Sequence, residues 1–367
     1  MLQLNKFKTF FLILLFSASS TLALSVRDVA IFDDRAWDDG GAWYYSIYGI
    51  REVLENIGYT WESIDASDVN NNDLSQYYKL IVFPGGWAGG YNYYINDSGY
   101  QNIRDFIYQG GAYLGLCAGS FFACDKVFWR EGSDEELTPL NTYDYPLNLW
   151  NGIGDGVIRD FVYWAEDTYY PDHPGTRMTD IRIDTVLMPE ANPLIEVLYF
   201  GGPVFKPIAG KWGSTQVIAR YEMDGYSADG FASMILFPYG EGRVFLSAVH
   251  PEVSVYTYID NRGRQRSWMD YNQYSSINNQ TTIQSQNFLG QIIERLLSPE
   301  QEISAVVAKS KLLRFDTIQG NVYQVQSSEN GATWIDYGAP IVAESFEYVL
   351  SIPSEDLVAN YRIQIVD

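Results

Sequence analysis

The stretch "GAYLGLCAGSFFAC" (residues 111–124) holds both cysteines of the 367-residue chain and decides how the rest is interpreted. Its apolar run "AYLGL" has strand character and ends at Cys117, and a helical pattern follows. A strand that turns sharply into a helix through small residues is a nucleophile elbow, which presents one reactive side chain at the turn. Gly115, Ala118 and Gly119 supply the small residues. The pattern therefore predicts that Cys117 is a nucleophile on a strand-to-helix turn.

Two alternatives for Cys117 stay open at this point. Free cysteine is among the most often buried residue types, so Cys117 could be an inert core residue. The two cysteines could also form a disulfide or a redox pair. On one helix their Cα atoms would lie roughly 10.5 Å apart at about 1.5 Å per residue, whereas a disulfide requires less than about 7 Å. We therefore expect Cys124 to be a packed residue two helical turns beyond the elbow.

Strand and helix patterns alternate from residue 26 onwards. The strand-like runs are "VRDVAIF", "YTWESIDAS", "YYKLIVF" and "AYLGLC", and the first helical run, "AWYYSIYGIREVLENIGY", stops at Gly58. This alternation predicts a doubly wound, mostly parallel α/β sheet. Shorter strand-like runs between residues 141 and 242 predict antiparallel additions. Ligands of such sheets bind beyond the carboxyl ends of the strands, where Asp33, the Gly85–Gly86 pair and Cys117 fall.

The chain divides into four predicted segments. Residues 1–23 carry basic residues, a short apolar core and small residues before Ala23, which predicts a signal peptide and an exported protein, periplasmic or extracellular. A membrane anchor is the alternative, but the apolar core is about half of the ~20 residues needed to span a bilayer. Residues 24–298 form the α/β domain and 299–311 a linker. Residues 312–367 contain only strand patterns and predict a small β-sandwich-like module.

Composition limits the partners. The net charge of −22 argues against nucleic-acid binding, which needs a basic surface. No later segment is apolar enough to span a membrane.

No cofactor is expected, and no metal site either, because His173 has no nearby histidine or cysteine. The C-terminal module could bind a surface, a polymer or the α/β domain, or could be a structural appendage. The many aromatic residues could line a ligand cleft or fill the core.

The catalytic base is predicted at His250, in "GRVFLSAVHPE", where a strand-like run ends. Glu252 follows two residues later, on the same face if the segment is extended. A carboxylate in that place holds the orientation and tautomer of the imidazole, as in a catalytic triad. A capping or surface role would be the simpler explanation of His250 alone, but its combination with a cysteine elbow favours catalysis.

Backbone N–H groups of Gly85, Gly86 and Ala118 are predicted to form an oxyanion hole, because a glycine pair after a buried strand lets the main chain approach a ligand. Asp33, Trp87, Gly201 and Gly202 are the predicted substrate contacts. The acidic loop after the first strand either binds a polar substrate or is a solvated surface loop, which we favour; it contains Asp33, Asp34, Trp37, Asp38, Asp39 and Trp43.

These motifs resemble the class I glutamine amidotransferase-like superfamily. The resemblance rests on the order of "PGG" (84–86), "GLCAG" (115–119) and "HPE" (250–252), and "GLCAGSFFAC", "YFGGPVF" (199–205) and "GRVFLSAVHPE" are closer to one branch. That branch is the domain found at the N-terminus of eukaryotic biotin-protein ligases and in stand-alone bacterial proteins. The similarity covers roughly residues 26–298. It implies a flavodoxin-like sheet, a Cys117–His250–Glu252 triad and a thioester intermediate.

The sequence therefore predicts an exported cysteine-dependent amidase or hydrolase that acts on a small-molecule or peptide amide. Cys117 would attack a carboxamide or related acyl carbon, His250 would transfer the proton and Glu252 would orient His250. The main alternative is a catalytically silent binding or scaffold protein that keeps the fold and the three residues. A redox sensor built on Cys117 and Cys124 is a third hypothesis.

Overall fold

The computed structural model describes residues 24–35, 40–129, 141–162, 176–253, 258–259, 265–266, 279–297, 310–316, 322–328, 335–336, 341–342, 347–353 and 360–366. The helices are α1 (Tyr44–Ile57), α2 (Ala66–Asn71), α3 (Ala88–Tyr94), α4 (Asp97–Tyr108), α5 (Ala118–Ala123) and α6 (Asn279–Leu297). The strands are β1 (Val29–Phe32), β2 (Trp61–Ile64), β3 (Leu80–Phe83), β4 (Ala112–Leu116), β5 (Cys124–Trp129), β6 (Asn141–Tyr143), β7 (Trp150–Gly156), β8 (Thr176–Ile183), β9 (Leu194–Phe200), β10 (Val204–Pro207), β11 (Gln216–Glu222), β12 (Ala232–Tyr239), β13 (Gly242–Ser247), β14 (Tyr258–Ile259), β15 (Gln265–Arg266), β16 (Ser310–Asp316), β17 (Val322–Ser328), β18 (Ile335–Asp336), β19 (Ile341–Val342), β20 (Glu347–Pro353) and β21 (Asn360–Val366).

The parallel core of the sheet confirms the predicted fold class. Its strand order is β2-β1-β3-β4-β13, and each neighbouring pair is parallel. This is the 2-1-3-4-5 order of flavodoxin-like sheets, with β13 as the fifth strand. Every residue of β1, β3 and β4 is buried, as expected for parallel strands covered on both faces.

Beyond β13 the sheet continues with the antiparallel additions that the sequence predicts. β12 pairs with β13, and β10, β7, β5 and β6 extend the sheet from there. A side branch runs from β12 through β11 and β8 to β9. One main-chain bridge, between Leu198 of β9 and His250, ties the last strand of this branch back to the end of β13.

The helix after Cys117 is shorter than predicted. The sequence pattern predicts a helix through residue 128, but α5 ends at Ala123 and Cys124 adopts extended backbone angles. Residues 124–129, "CDKVFW", form β5 and pair in parallel with β7. The cause is tertiary: β7 offers a strand partner to a segment that contains valine, phenylalanine and tryptophan, residues that favour strands. Cys124 therefore begins a strand and does not lie two helical turns beyond the elbow.

All described elements after residue 297 are strands. β16 pairs with β20, and β17 pairs with β18, β19 and β21, each pair antiparallel. β16 begins at Ser310, so the last residues of the predicted linker, Ser310 and Lys311, belong to a strand. The predicted signal peptide and residues 299–309 lie outside the described residues. In the described parts of the chain, no helix has both the length and the apolar character needed to cross a membrane.

Candidate active site

Cys117 occupies a strained turn between β4 and α5. Its backbone has φ 46° and ψ −98°, a conformation that residues with a side chain rarely adopt. Its N–H donates to the carbonyl of Ser247 at 2.7 Å, which fixes the turn to the end of β13. The neighbours must be small: a Cβ at Gly119 would lie 2.2 Å from the carbonyl oxygen of Phe83. A strained positive φ at the junction of a strand and a helix is the backbone geometry that a nucleophile elbow requires.

His250 lies beside this turn because β4 and β13 are parallel neighbours. Parallel strands end at the same edge of a sheet, so the residues that follow Leu116 and Ser247 meet there. The backbone N–H of His250 donates to the carbonyl of Leu198 at 2.9 Å. The imidazole is 1% exposed. The imidazole of His250 is therefore held in place next to the cysteine by two strands, β13 and β9.

Glu252 contacts His250 as predicted, but through a turn. Residues 251–252 form a turn after His250, and the N–H of Val253 closes it on the His250 carbonyl at 3.4 Å. Glu252 Oε1 lies 2.8 Å from His250 Nδ1, and Glu252 is fully buried. The extended segment assumed from the sequence is thus wrong, while the predicted pairing is present. Among the described residues, Oε2 of Glu252 has no hydrogen-bond partner.

The charge state of His250 follows from this pair. Burial opposes the positive imidazolium, but the carboxylate of Glu252 outweighs burial and Cys117 adds to its effect, so the pKa of His250 is raised to about 10. Nδ1 faces the carboxylate, so Nε2 is the nitrogen left for chemistry. Within the described part of the chain, Nε2 has no hydrogen-bond partner.

The thiol of Cys117 rests on a different acceptor. Its Sγ donates to the carbonyl oxygen of Phe200, the last residue of β9, at 3.3 Å. Aromatic rings enclose the imidazole: its centroid lies 5.1 Å from that of the Trp43 ring and 6.2 Å from that of Phe200. Cys117 also raises the pKa of His250, through its charge and through a side-chain contact with the imidazole. The structure therefore holds the thiol and the imidazole close together, with the thiol hydrogen directed to the main chain.

At two positions of this site only glycine fits, because another part of the chain comes too close for a Cβ. A Cβ at Gly85 would lie 2.3 Å from His250 Cε1, so the imidazole rests on the Gly85 backbone. A Cβ at Gly202 would lie 1.7 Å from the carbonyl oxygen of Ala248, two residues before His250. Gly201, the residue between Phe200 and Gly202, has φ 70°. The predicted substrate contacts Gly201 and Gly202 thus lie in the turn after β9, which packs against the segment that carries His250.

The three predicted oxyanion donors are not equivalent. The N–H of Gly85 donates to the hydroxyl of Ser46 at 2.8 Å and is therefore already engaged. In the described structure, no acceptor is found for the N–H of Gly86 or for that of Ala118, the first residue of α5. Gly86 has φ 142°, and a Cβ there would lie 1.9 Å from the Gly41 carbonyl oxygen. Gly86 and Ala118 remain the candidates for an oxyanion hole.

Sequence analysis missed Ser46. This residue lies on α1 and is fully buried. Its hydroxyl also donates to Glu252 Oε1 at 2.6 Å. A serine within an amphipathic helical pattern has no motif of its own, and only the packed structure brings it to the carboxylate.

In the described part of the acidic loop, Asp33 and Asp34 are not the solvated surface residues that we favoured from the sequence. Asp34 is fully buried and accepts the N–H groups of Gly41 and Ala42, each at 2.8 Å; burial raises its pKa. Burial likewise opposes the charge of Asp33, but its ion pair with Arg35, at 2.6 Å, outweighs burial and lowers the pKa of Asp33. Trp37, Asp38, Asp39 and His173 lie outside the described residues.

Trp87, a predicted substrate contact, is 58% exposed directly after the Gly85–Gly86 pair. Its N–H donates to the carbonyl of Gly41 at 2.7 Å, so its backbone is fixed while its ring faces solvent.

Cys124 is separate from this site. It is fully buried at the start of β5, and its thiol donates to the Ser120 carbonyl at 3.2 Å. Burial raises the pKa of the Cys124 thiol. Both cysteines are free. Among the described residues, no group of three or more histidine, cysteine, aspartate or glutamate side chains is arranged to hold a metal ion.

A flavodoxin-like sheet with a cysteine elbow and a histidine–glutamate pair at the next strand end defines the class of this protein: an α/β protein with a buried Cys–His–Glu arrangement. The chain belongs to the family described as biotin-protein ligase, N terminal, whose model matches residues 31–314.

Two relatives are similar in sequence. The biotin–protein ligase of Schizosaccharomyces pombe is 30% identical over 197 residues, which cover 53% of this chain and 29% of that protein. An uncharacterized protein of Chlamydia muridarum is 41% identical over 175 residues, 47% of this chain and 60% of that protein. The chain therefore spans less than two thirds of either relative. Among solved structures, a β-galactosidase from Bacillus circulans sp. alkalophilus aligns with 14% identity and a TM-score of 0.39, over 89% of this chain and 41% of that one.

Proposed function

We propose that this protein is a cysteine-dependent amidase or hydrolase of the glutamine amidotransferase-like type. One observation carries the proposal: Cys117, on a turn with φ 46°, lies beside a buried His250 whose Nδ1 is 2.8 Å from Glu252. The strained turn, the buried base and the orienting carboxylate are the three parts that thiol catalysis requires. The order of the motifs along the chain supports the same superfamily.

The proposed reaction has two stages. In the reactive state the Cys117–His250 pair shares one proton, which the raised pKa of His250 places on Nε2. Sγ bonds to the carbonyl carbon of a carboxamide, and the C–N bond then breaks as Nε2 gives that proton to the leaving nitrogen. Ammonia or an amine leaves and a thioester on Cys117 remains. Water attacks the thioester with His250 as base, which releases the carboxylic acid and the free thiol. Gly86 and Ala118 N–H groups would stabilise the negative oxygen in both stages.

Substrate contacts follow from the same geometry. We assign this role to Trp87, whose ring is exposed beside the proposed oxyanion hole, and to Gly201 and Gly202 at the end of β9. Asp33 would contribute its carboxylate at the end of β1. The substrate class is a small-molecule or peptide amide. The C-terminal strands would provide contact with a surface or polymer.

We further propose that the chain is exported and cleaved after Ala23, on the features of residues 1–23. Mature protein recovered outside the cytoplasm should begin at Leu24 by N-terminal sequencing. A protein that retains Met1 and remains in the cytoplasm would contradict export and leave the proposed chemistry untouched.

A second candidate is a silent binding protein that keeps the fold and the three residues. The observation in its favour is that the thiol donates to the Phe200 carbonyl, while His250 Nε2 has no partner among the described residues. Such a protein would bind its ligand equally well with or without the Cys117 thiol.

The deciding experiment compares wild type, Cys117→Ala and Cys124→Ala. Each is incubated with iodoacetamide and with a panel of primary amides and short peptides, and covalent adducts and released ammonia or amine are measured. The proposal expects one fast adduct and turnover in wild type and in Cys124→Ala, and neither in Cys117→Ala. Turnover that survives in Cys117→Ala, or a wild-type thiol that reacts at no pH, would support the binding protein.

A further inference from the structure

Ser46 lies between two parts of the site that sequence analysis treats as separate. Its hydroxyl accepts the Gly85 N–H at 2.8 Å and donates to Glu252 Oε1 at 2.6 Å. A serine hydroxyl has one hydrogen, and an ionised carboxylate can only accept. The hydroxyl hydrogen is therefore directed to Glu252, and a lone pair receives the Gly85 N–H.

The two partners of Ser46 both act on His250. Glu252 Oε1 is the atom 2.8 Å from Nδ1, and Gly85 is the residue whose backbone lies against the imidazole ring. One hydroxyl thus connects the carboxylate at the edge of the imidazole to the backbone under its face. Since Oε2 has no partner among the described residues, Oε1 carries both described hydrogen bonds of this carboxylate.

The helix that carries Ser46 is itself held against Glu252. Gly49 lies one turn further along α1, and a Cβ there would lie 2.1 Å from the Glu252 carbonyl oxygen. That same carbonyl accepts Gln286 Nε2 of α6 at 3.0 Å. The approach of α1 to the Glu252 backbone places the Ser46 hydroxyl on the carboxylate, so this contact does not depend on a flexible side chain.

We propose that Ser46 is a positioning residue for the Cys117–His250 pair, an inference that rests on the proposed function. It fixes Oε1 of Glu252 on Nδ1 and holds Gly85 under the ring, so that Nε2 is directed towards the thiol. Without the hydroxyl, the carboxylate is free to rotate about its terminal bond, and the Gly85 N–H is left buried without its acceptor. The arrangement is thus a Cys–His–Glu–Ser relay in which the fourth member touches neither the thiol nor the substrate.

The test uses the full-length chain and the variants Ser46→Ala and Ser46→Thr, with Ser233→Ala as the matched control. Ser233 is also fully buried, and its hydroxyl has no partner among the described residues. The first measurement is the rate of Cys117 alkylation by iodoacetamide from pH 5 to pH 10. The second is the titration of the His250 C2 proton by NMR, which is tractable because the chain has only two histidines, His173 and His250.

Ser46→Ala should slow alkylation at neutral pH by about tenfold to a hundredfold, the usual effect of losing an orienting partner. It should also lower the pKa of His250, because Glu252 is no longer held on Nδ1. Ser46→Thr keeps a hydroxyl and should restore both readouts towards wild type, whereas Ser233→Ala should leave both unchanged. Circular dichroism of each variant confirms that it is folded.

Identical alkylation profiles and His250 titrations in Ser46→Ala, Ser233→Ala and wild type would overturn the role of Ser46. The failure of the proposed function looks different: Cys117 would then be unreactive in wild type at every pH. In that case the NMR titration still decides whether Ser46 sets the state of the His250–Glu252 pair. Should Ser46→Ala fail to fold, Ser46→Cys takes its place in the NMR titration, because a thiol is only a weak donor. The pKa of His250 should then be lower in Ser46→Cys than in Ser46→Thr, and equal values would overturn the role of Ser46.

Discussion

Cys117 and Cys124 stand at the two ends of α5, and both are buried, free and without a disulfide partner. Their surroundings nevertheless differ in backbone conformation and in the titratable groups beside the sulfur. Cys117 has φ 46° and a histidine–glutamate pair beside it, whereas Cys124 has extended backbone and donates to a helix carbonyl. Burial is common to both cysteines, so the proposed difference in their reactivity has to come from the neighbouring groups.

The largest predicted effect is the contrast in native reactivity. In single-cysteine variants, Cys117 should be alkylated by iodoacetamide at least about a thousandfold faster than Cys124, the protection expected when modification of a core residue needs an opening of roughly 4 kcal/mol. In 8 M urea the two rates should become similar. The measurement is adduct mass against time. Equal native rates would remove the distinction between the two sites.

Gly85→Ala should lower the rate at which Cys117 is alkylated, towards the slow rate expected for Cys124. The new Cβ would lie 2.3 Å from His250 Cε1 and would displace the imidazole from the thiol. We expect alkylation of Cys117 to slow by about a hundredfold, since misplacement by about 1 Å has effects of that size. The rate is measured at pH 7.

The matched control for this substitution is Gly290→Ala in α6. There the nearest described contact of a new Cβ is a side-chain methyl of Ile57 at 3.2 Å, and alanine favours the helix. Gly290→Ala should alkylate at the wild-type rate. A normal rate in Gly85→Ala would mean that the ring position does not govern the thiol.

The His250–Glu252 pair also predicts how stability depends on pH. The pKa of His250 is raised from 6.5 to about 10, so the folded state binds the proton more tightly and the stabilisation is complete below pH 6.5. It is lost as the pH rises towards 10. Between pH 7 and 8.5 the free energy of unfolding should fall by about 1 kcal/mol per pH unit. Urea unfolding at several pH values measures this slope.

Glu252→Gln should flatten that slope, and the exposed Glu241→Gln should leave it unchanged. The slope of the free energy of unfolding is measured only up to pH 8.5. At higher pH the buried Tyr91, Tyr113 and Cys124, whose pKa values are raised, add their own loss of stability. An unchanged slope in Glu252→Gln would show that the carboxylate does not hold the proton on His250.

The smallest predicted effect concerns packing. Cys124→Ala should lower the free energy of unfolding by roughly 1–2 kcal/mol, because it removes a fully buried sulfur next to Gly154 and leaves a small cavity. Cys117→Ala, at the edge of the site, should change it by less. Urea unfolding at pH 7 compares the two. The opposite ranking would mean that Cys117 is the packed residue and Cys124 is not.

The sequence could predict those features that depend on local pattern. The strand–helix alternation sufficed for the doubly wound, parallel class of the sheet, and the rarity of histidine and cysteine singled out Cys117 and His250. The end of α5 could not be read in this way, because the partner of β5 is β7, which comes later in the chain. Ser46 could not be found either, since its role exists only where α1, the turn at Gly85 and the turn at Glu252 meet. Asp34 was expected at the surface because the loop that supplies its two N–H donors has no helix or strand periodicity. Nothing in the sequence therefore indicated that this loop covers the carboxylate.

Because β13 pairs with β4, the sheet around β4 can be completed only late in synthesis. β4 is fully buried in the sheet, yet its neighbour on one side is encoded after residue 241, beyond the whole antiparallel extension. During synthesis the edge of β4 that later pairs with β13 therefore has no partner. Unpaired strand edges of this kind promote aggregation. Cys117 likewise meets His250 only when β13 docks. The proposed reactivity would therefore be acquired last, after most of the domain has been made.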